Sequence, residues 1–148
     1  MVHLNSCFFI DIESCLIRVK SGKAFPLSNS DWIFNDEVIS HIKDTQYSKV
    51  CLIADRRYAS ISNLRRYERL IDFIKEQLYK ILNITTQVIF YKGNDGYFNY
   101  PFPGGVLSFV IDNDINLAKS IYVTNNLNAF NYSGVRKGYT FSQFILHG

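Results

Sequence analysis

Four short runs of the chain are apolar without alternation: residues 7–12, 49–54, 86–91 and 120–123. Strands covered by helices on both faces have this pattern, whereas a strand with one wet face alternates. Between the runs the pattern changes to a helical period. Leu64, Tyr67, Ile71, Ile74, Leu78, Ile81 and Leu82 fall on one stripe at 3.6-residue spacing, which predicts a helix over 62–82. Its Arg65, Arg66 and Arg69 lie on the other side and face solvent. Asn35 ahead of Asp36-Glu37 predicts a capped helix carrying Val38, Ile39 and Ile42 inward. Turn signals at Asn94-Asp95-Gly96 and 101–105 precede a helix over about 105–118, and Thr140 is placed to cap a short one over 141–146.

Strands alternating with helices predict a three-layer, Rossmann-like α/β fold with a mainly parallel sheet, in a single domain spanning 1–148. In such sheets chemistry gathers at the carboxyl ends of the strands. Asp11, Ala54-Asp55 and Thr124-Asn125 stand at those ends. Composition removes several classes. Of the 148 residues 47% are hydrophobic and 16% aromatic, which excludes disorder and provides a core that needs no disulfide or metal. Cys7, Cys15 and Cys51 have no CxxC spacing and read as reduced thiols. His3, His41 and His147 have no ligand spacing. A net charge of +3 does not demand a nucleic-acid partner. No leader and no membrane-length apolar run is present, so the expected location is intracellular, cytoplasmic or nuclear, and the sequons at Asn83 and Asn131 carry no weight.

The opening segment narrows the class. It reads Asp11-Ile12-Glu13-Ser14-Cys15-Leu16, then Ser21-Gly22-Lys23-Ala24-Phe25-Pro26, then Asp31-Trp32. This resembles the 3′-phosphatase domain of polynucleotide kinase/phosphatase, a branch of the haloacid dehalogenase superfamily, without its kinase half and with a minimal cap. The first motif points only to the superfamily, whereas the Ser-Gly-Lys segment with the trailing Asp-Trp selects the branch. The resemblance implies a Mg²⁺-dependent phosphomonoesterase. One carboxylate attacks phosphorus, and a second, two residues on, handles the leaving group's proton. A hydroxyl and a lysine stabilise the phosphoryl oxygens, and an acid after the fourth strand holds the metal.

Carried onto this chain, that implied set is incomplete. Asp11 stands intact at the nucleophile's position. Glu13 replaces the acid–base Asp and moves the carboxyl by one methylene, a displacement that can cost about 10²-fold in rate. Ser14 and Cys15 stand where the family has Gly-Thr. Ala54 replaces the phosphate-touching hydroxyl of the second strand, Tyr100 (in Asn99-Tyr100-Pro101) the lysine, and Asn125 the metal-binding acid. No Asp or Glu follows Asp114 to take its place, although Lys92 is a candidate substitute for the lysine. The losses agree with one another: Asn125 weakens the hold on a hard cation, and Tyr100 removes the charge that balances a phosphate.

The resulting expectation is a pseudophosphatase with Asp11 and Glu13 as vestiges, no bound metal and no cofactor. Asp11 is then an inherited acceptor for loop amides rather than a residual nucleophile. Phe25 and Trp32 pack the 21–34 excursion against the domain, the alternative being contact with a base. Arg56, Arg57, Arg65, Arg66 and Arg69 form a basic segment with one acid, Glu68, suited to phosphates of RNA or DNA or equally to a solvated helix face. The expected role is a binding or structural subunit of a nucleic-acid-containing assembly such as a ribonucleoprotein, with protein partners and no membrane. The alternatives are a weak Mg²⁺-dependent polynucleotide 3′-phosphatase, or an inhibitor that caps a partner protein.

Overall fold

The structure, a computed structural model, describes residues 5–54, 64–90 and 104–147. The elements run β1 (Cys7–Asp11), a π-helical turn (Ile12–Leu16), β2 (Ile17–Val19), β3 (Trp32–Phe34), α1 (Asp36–Thr45), β4 (Lys49–Ala54) and α2 (Leu64–Leu82). They continue with β5 (Gln87–Phe90), α3 (Gly104–Asp112), a 3-10 turn (Leu117–Lys119), β6 (Ile121–Val123), α4 (Leu127–Ser133), β7 (Lys137–Tyr139) and α5 (Phe141–His147). Five of the strands make one sheet in the order β5-β4-β1-β6-β7, every neighbouring pair parallel.

The unalternating runs are explained by the two faces. Along β1, Phe8 and Ile10 point to one side and Cys7 and Phe9 to the other, and all four are fully buried. The Phe8 side packs against Val38, Ile39 and Ile42 of α1, Ile71, Ile74 and Leu78 of α2, and Phe144 of α5. The Phe9 side packs against Val106 and Phe109 of α3 and Ala129 of α4. Helices therefore cover both faces, and the three-layer α/β fold follows. Of the stripe, Tyr67, Ile71, Ile74 and Leu78 are buried, Leu64 and Leu82 at its ends are partly buried and Ile81 is exposed, while Arg65, Arg66 and Arg69 are exposed, as the 3.6-residue period requires over its central turns.

Several boundaries differ from the sequence reading. The helix expected over 105–118 ends at Asp112. Asp114 then turns the chain with φ of 55°, and Asn116 starts the 3-10 turn by accepting the Ala118 N–H. Asn35 does not cap α1 with its side chain; its Nδ2 instead donates to the Cys15 carbonyl at 2.7 Å, tying the helix start to the π-helical turn. Thr140 does cap α5: its hydroxyl accepts the Gln143 N–H, and the Gln143 side chain accepts the Thr140 N–H in return. The helix at 127–133 and the strands β2, β3 and β7 are additions. β7 is held by close packing, because a Cβ at Gly138 would meet the Phe130 ring at 2.2 Å. No helix among the described residues is long and apolar enough to cross a membrane.

Candidate functional site

The strand order brings one place to notice. Taken as successive parallel strands, β1, β4 and β5 extend the sheet one way and β6 and β7 the other. The order reverses between β1 and β6, and crevices at such a switch point receive ligands outside the carboxyl ends. A cleft of about 670 Å³ opens there, with Asp11, Glu13, Ser14, Arg18, Lys23 and Asn125 among its lining residues. Asp11 is at the end of β1 and Asn125 follows β6, so the fold itself brings these two motifs together.

Asp11 shares the sheet face of Cys7 and Phe9 and is 2% exposed. Tyr122 is the register partner of Phe9 and points to the same face. Its hydroxyl therefore reaches along the sheet and donates to Asp11 Oδ1 at 2.9 Å. The Thr124 hydroxyl donates to Asp11 Oδ2, and the same hydroxyl oxygen accepts the Asn126 N–H at 3.1 Å. Both carboxylate oxygens thus accept hydrogen bonds from hydroxyls of β6 and the residue after it. The sequence predicts loop amides as donors; to these the structure adds two hydroxyl side chains. Glu13, also buried, accepts a hydrogen bond from the Tyr67 hydroxyl of α2.

Asn125 is held at both ends of its amide. Its Oδ1 accepts the Phe141 N–H at the start of α5 at 3.0 Å, and its Nδ2 points to the Ser14 carbonyl at 3.4 Å. An aspartate here would set an oxygen against that carbonyl. The π-helical turn accommodates Ser14 without positive φ, the described non-glycine cases being Gln46, Asn83 and Asp114. Cys15 is buried beneath it; burial first, then the Asp11 carboxylate, push its thiol up to about 12, so it stays protonated. Cys7 and Cys51 are likewise buried, and burial raises both. Ala54 ends β4 fully buried within the core and brings no hydroxyl. Asp55, Arg56, Arg57, Lys92, Asn99, Tyr100 and Pro101 lie outside the described residues.

The Ser-Gly-Lys and Asp-Trp motifs close one loop. β2 and β3 pair antiparallel, and residues 20–31 span their ends. The Asp31 carboxylate holds this loop by accepting the Ser21 N–H at 2.8 Å, the Ser21 hydroxyl at 2.7 Å and the Leu27 N–H at 2.9 Å. Gly22 takes φ of 74°, which favours glycine. Phe25 stacks on Tyr67 at 4.8 Å, and Trp32 packs edge-on against Phe34 and Phe73. Both aromatics pack into the domain, as expected, and Lys23 is left facing the cleft.

The hydrogen bonds to Asp31, that of Leu27 first, lower its carboxyl below its ordinary value of 3.8. A lowered folded value means the stabilisation is complete above the unfolded pKa and is lost as pH falls through the folded one. Hydrogen exchange checks this: protection of the Ser21 and Leu27 amides falls only below pH 3.8 in the native chain. In Asp31→Asn it is already reduced at neutral pH.

Two solved structures share this architecture. A HAD-like phosphatase from Mesorhizobium loti superposes with a TM-score of 0.68 at 14% identity, over 95% of this chain and 73% of its own. D,D-heptose 1,7-bisphosphate phosphatase from B. bronchiseptica, solved with magnesium and phosphate, gives 0.66 at 15% identity, over 97% and 87%. The fold is that of the HAD-like phosphatases. No family model matches the chain, and no curated protein does.

Sequence reasoning found Asp11, Glu13 and Asn125 and missed their partners. Tyr122 and Tyr67 read as apolar, one in a strand and one on a helix stripe. The available signal was chemical: a buried tyrosine brings a hydroxyl that needs an acceptor.

Proposed function

We propose that this chain has the phosphatase fold without phosphatase chemistry, a degenerate relative of the polynucleotide 3′-phosphatases serving as a binding or structural subunit of a nucleic-acid-containing assembly. The observation that carries this reading is the double hydroxyl clamp on Asp11. Two buried hydroxyls, from Tyr122 and Thr124, each donate to one Asp11 oxygen and hold the carboxylate, which is 2% exposed, against β6 and the residue after it. Among the described residues no group of three or more His, Cys, Asp or Glu side chains is placed to hold a metal ion. Asn125 is neutral, and its oxygen is turned to the Phe141 N–H.

The second reading, a weak 3′-phosphatase, draws on the open cleft, where Arg18 and Lys23 line the same space as the two carboxyls. A phosphate-release assay on a 3′-phosphorylated oligonucleotide separates the two. The expected result is release at the protein-free background, with or without Mg²⁺, unchanged in Asp11→Asn. Mg²⁺-dependent release that disappears in Asp11→Asn would establish the enzyme instead. The assembly part of the proposal expects the native protein to fractionate with a large particle and to be freed by nuclease.

A further inference from the structure

A groove of about 310 Å³ is lined by Asp72, Lys75, Glu76 and Tyr79 of α2 and by Thr85 and Thr86, which lead into the edge strand β5. The strands are parallel, so the start of β5 lies at the end of the sheet opposite the cleft. We propose that this groove and β5 together dock an extended segment of a partner protein. The segment's backbone pairs with the free edge of β5, and an arginine side chain of the segment enters the groove.

The groove has the chemistry of a cation site. Asp72 and Glu76 are exposed one helical turn apart, and neither they nor Lys75 make a hydrogen bond or ion pair among the described residues. Two carboxylates against one ammonium leave the groove acidic in a chain whose net charge is +3. Thr86 adds a buried polar atom: the residue is 2% exposed, and its hydroxyl has no hydrogen-bond partner. Such an orphan costs stability until something supplies a partner. Tyr79, 51% exposed, adds an aromatic surface. A guanidinium suits this set as a whole. Its planar fork donates to carboxylates, a remaining N–H donates to a hydroxyl oxygen, and its face lies on a tyrosine ring. A lysine ammonium offers three donors from one point and no flat face.

The strand beside it is an unguarded edge. β5 pairs with β4 on one side, and no described strand lies on the other. Edge strands are ordinarily guarded by charge, proline, a bulge or short length. β7, at the opposite edge, is three residues long and begins with the exposed Lys137. β5 reads Gln87-Val88-Ile89-Phe90, without charge or proline, and matches Cys51 to Ala54 one for one without a bulge. Such an edge is a template for a further strand: the backbone supplies affinity and an adjoining pocket selects a side chain. Thr86 lines the groove and immediately precedes β5, so one extended segment reaches both. The acidic groove selects a basic segment as the occupant.

The docking site is at the end of the sheet away from Asp11 and is measured as binding, so it stands or falls apart from the catalytic reading. The test pans a random-peptide display library on the full chain and measures the recovered peptides by fluorescence anisotropy. They are expected to be enriched in arginine beside β-branched residues, and to slow hydrogen exchange of the β5 amides that do not bond to β4. Asp72→Asn/Glu76→Gln should weaken them about tenfold. Glu37→Gln/Asp44→Asn, which removes the same charge from exposed positions of α1, should not. Replacing the peptide's arginine by citrulline should cost about as much in the native chain and clearly less in the Asp72/Glu76 variant, which assigns the loss to that contact. Thr86→Val should raise the urea midpoint of the free chain, because no hydroxyl is then buried alone, and still weaken the peptides. Recovery of no peptide, peptides without arginine enrichment, protection outside β5, or equal weakening in the two acid variants would overturn the site. A free chain that light scattering finds dimeric, and monomeric in the Asp72/Glu76 variant, would assign the edge to a second copy instead.

Discussion

Asp11→Ala is expected to destabilise the protein by about 2–3 kcal/mol, read as a lower urea midpoint at unchanged m-value. The side chain it removes is the acceptor for two hydroxyls, and all three residues are essentially buried: Asp11 is 2% exposed, Tyr122 0% and Thr124 3%. Truncation removes the acceptor of both buried hydroxyls and leaves a void in its place, and losing a buried acceptor costs more than the bond itself contributes. Tyr122→Phe and Thr124→Val should each cost about 1 kcal/mol in the native background and clearly less in Asp11→Ala. That non-additivity identifies the clamp as one unit.

The sign of the Asp11 result is what makes it informative. Active sites hold groups in arrangements that favour reaction over stability, and removing a catalytic group often leaves a protein equally or more stable. A drop in stability identifies Asp11 as a structural acceptor, consistent with the clamp. A gain would return it to the role of a poised nucleophile, whatever the sensitivity limit of the phosphate-release assay.

The fold was legible because its core is written twice, once in the unalternating strands and once in the stripe of α2. Runs such as Phe8-Phe9-Ile10 require cover on both faces, and few architectures provide it. The short elements were not legible for the converse reason. β2, β3 and β7 are three residues each, and Lys137-Gly138-Tyr139 has no apolar run to reveal it. β7 exists because Gly138 lets Phe130 approach, a tertiary fact. The candidate site divides in the same way. Asp11, Glu13 and Asn125 could be placed by motif, since motif positions are linear in the chain. The clamp could not, because it depends on sheet register: Tyr122 reaches Asp11 only because it pairs with Phe9 across a parallel ladder.

Tertiary packing likewise gives Tyr67 a part that its place on an apolar stripe concealed. Its ring stacks on Phe25 of the loop, and its hydroxyl donates to Glu13 at the cleft. Tyr67→Ala removes both interactions and opens a cavity where the residue is 1% exposed, so a destabilisation of about 3–5 kcal/mol is expected. Tyr67→Phe keeps the ring and removes one hydrogen bond to Glu13, at about 1–3 kcal/mol. Loop order separates the two variants beyond their stability. With the ring present, the Ser21 and Leu27 amides that Asp31 binds should exchange as slowly as in the native chain. Without it they should exchange faster even though Asp31 is intact, because Phe25 then has no surface to lie on. If Tyr67→Phe loosens the loop as much as Tyr67→Ala, the hydroxyl rather than the ring anchors it.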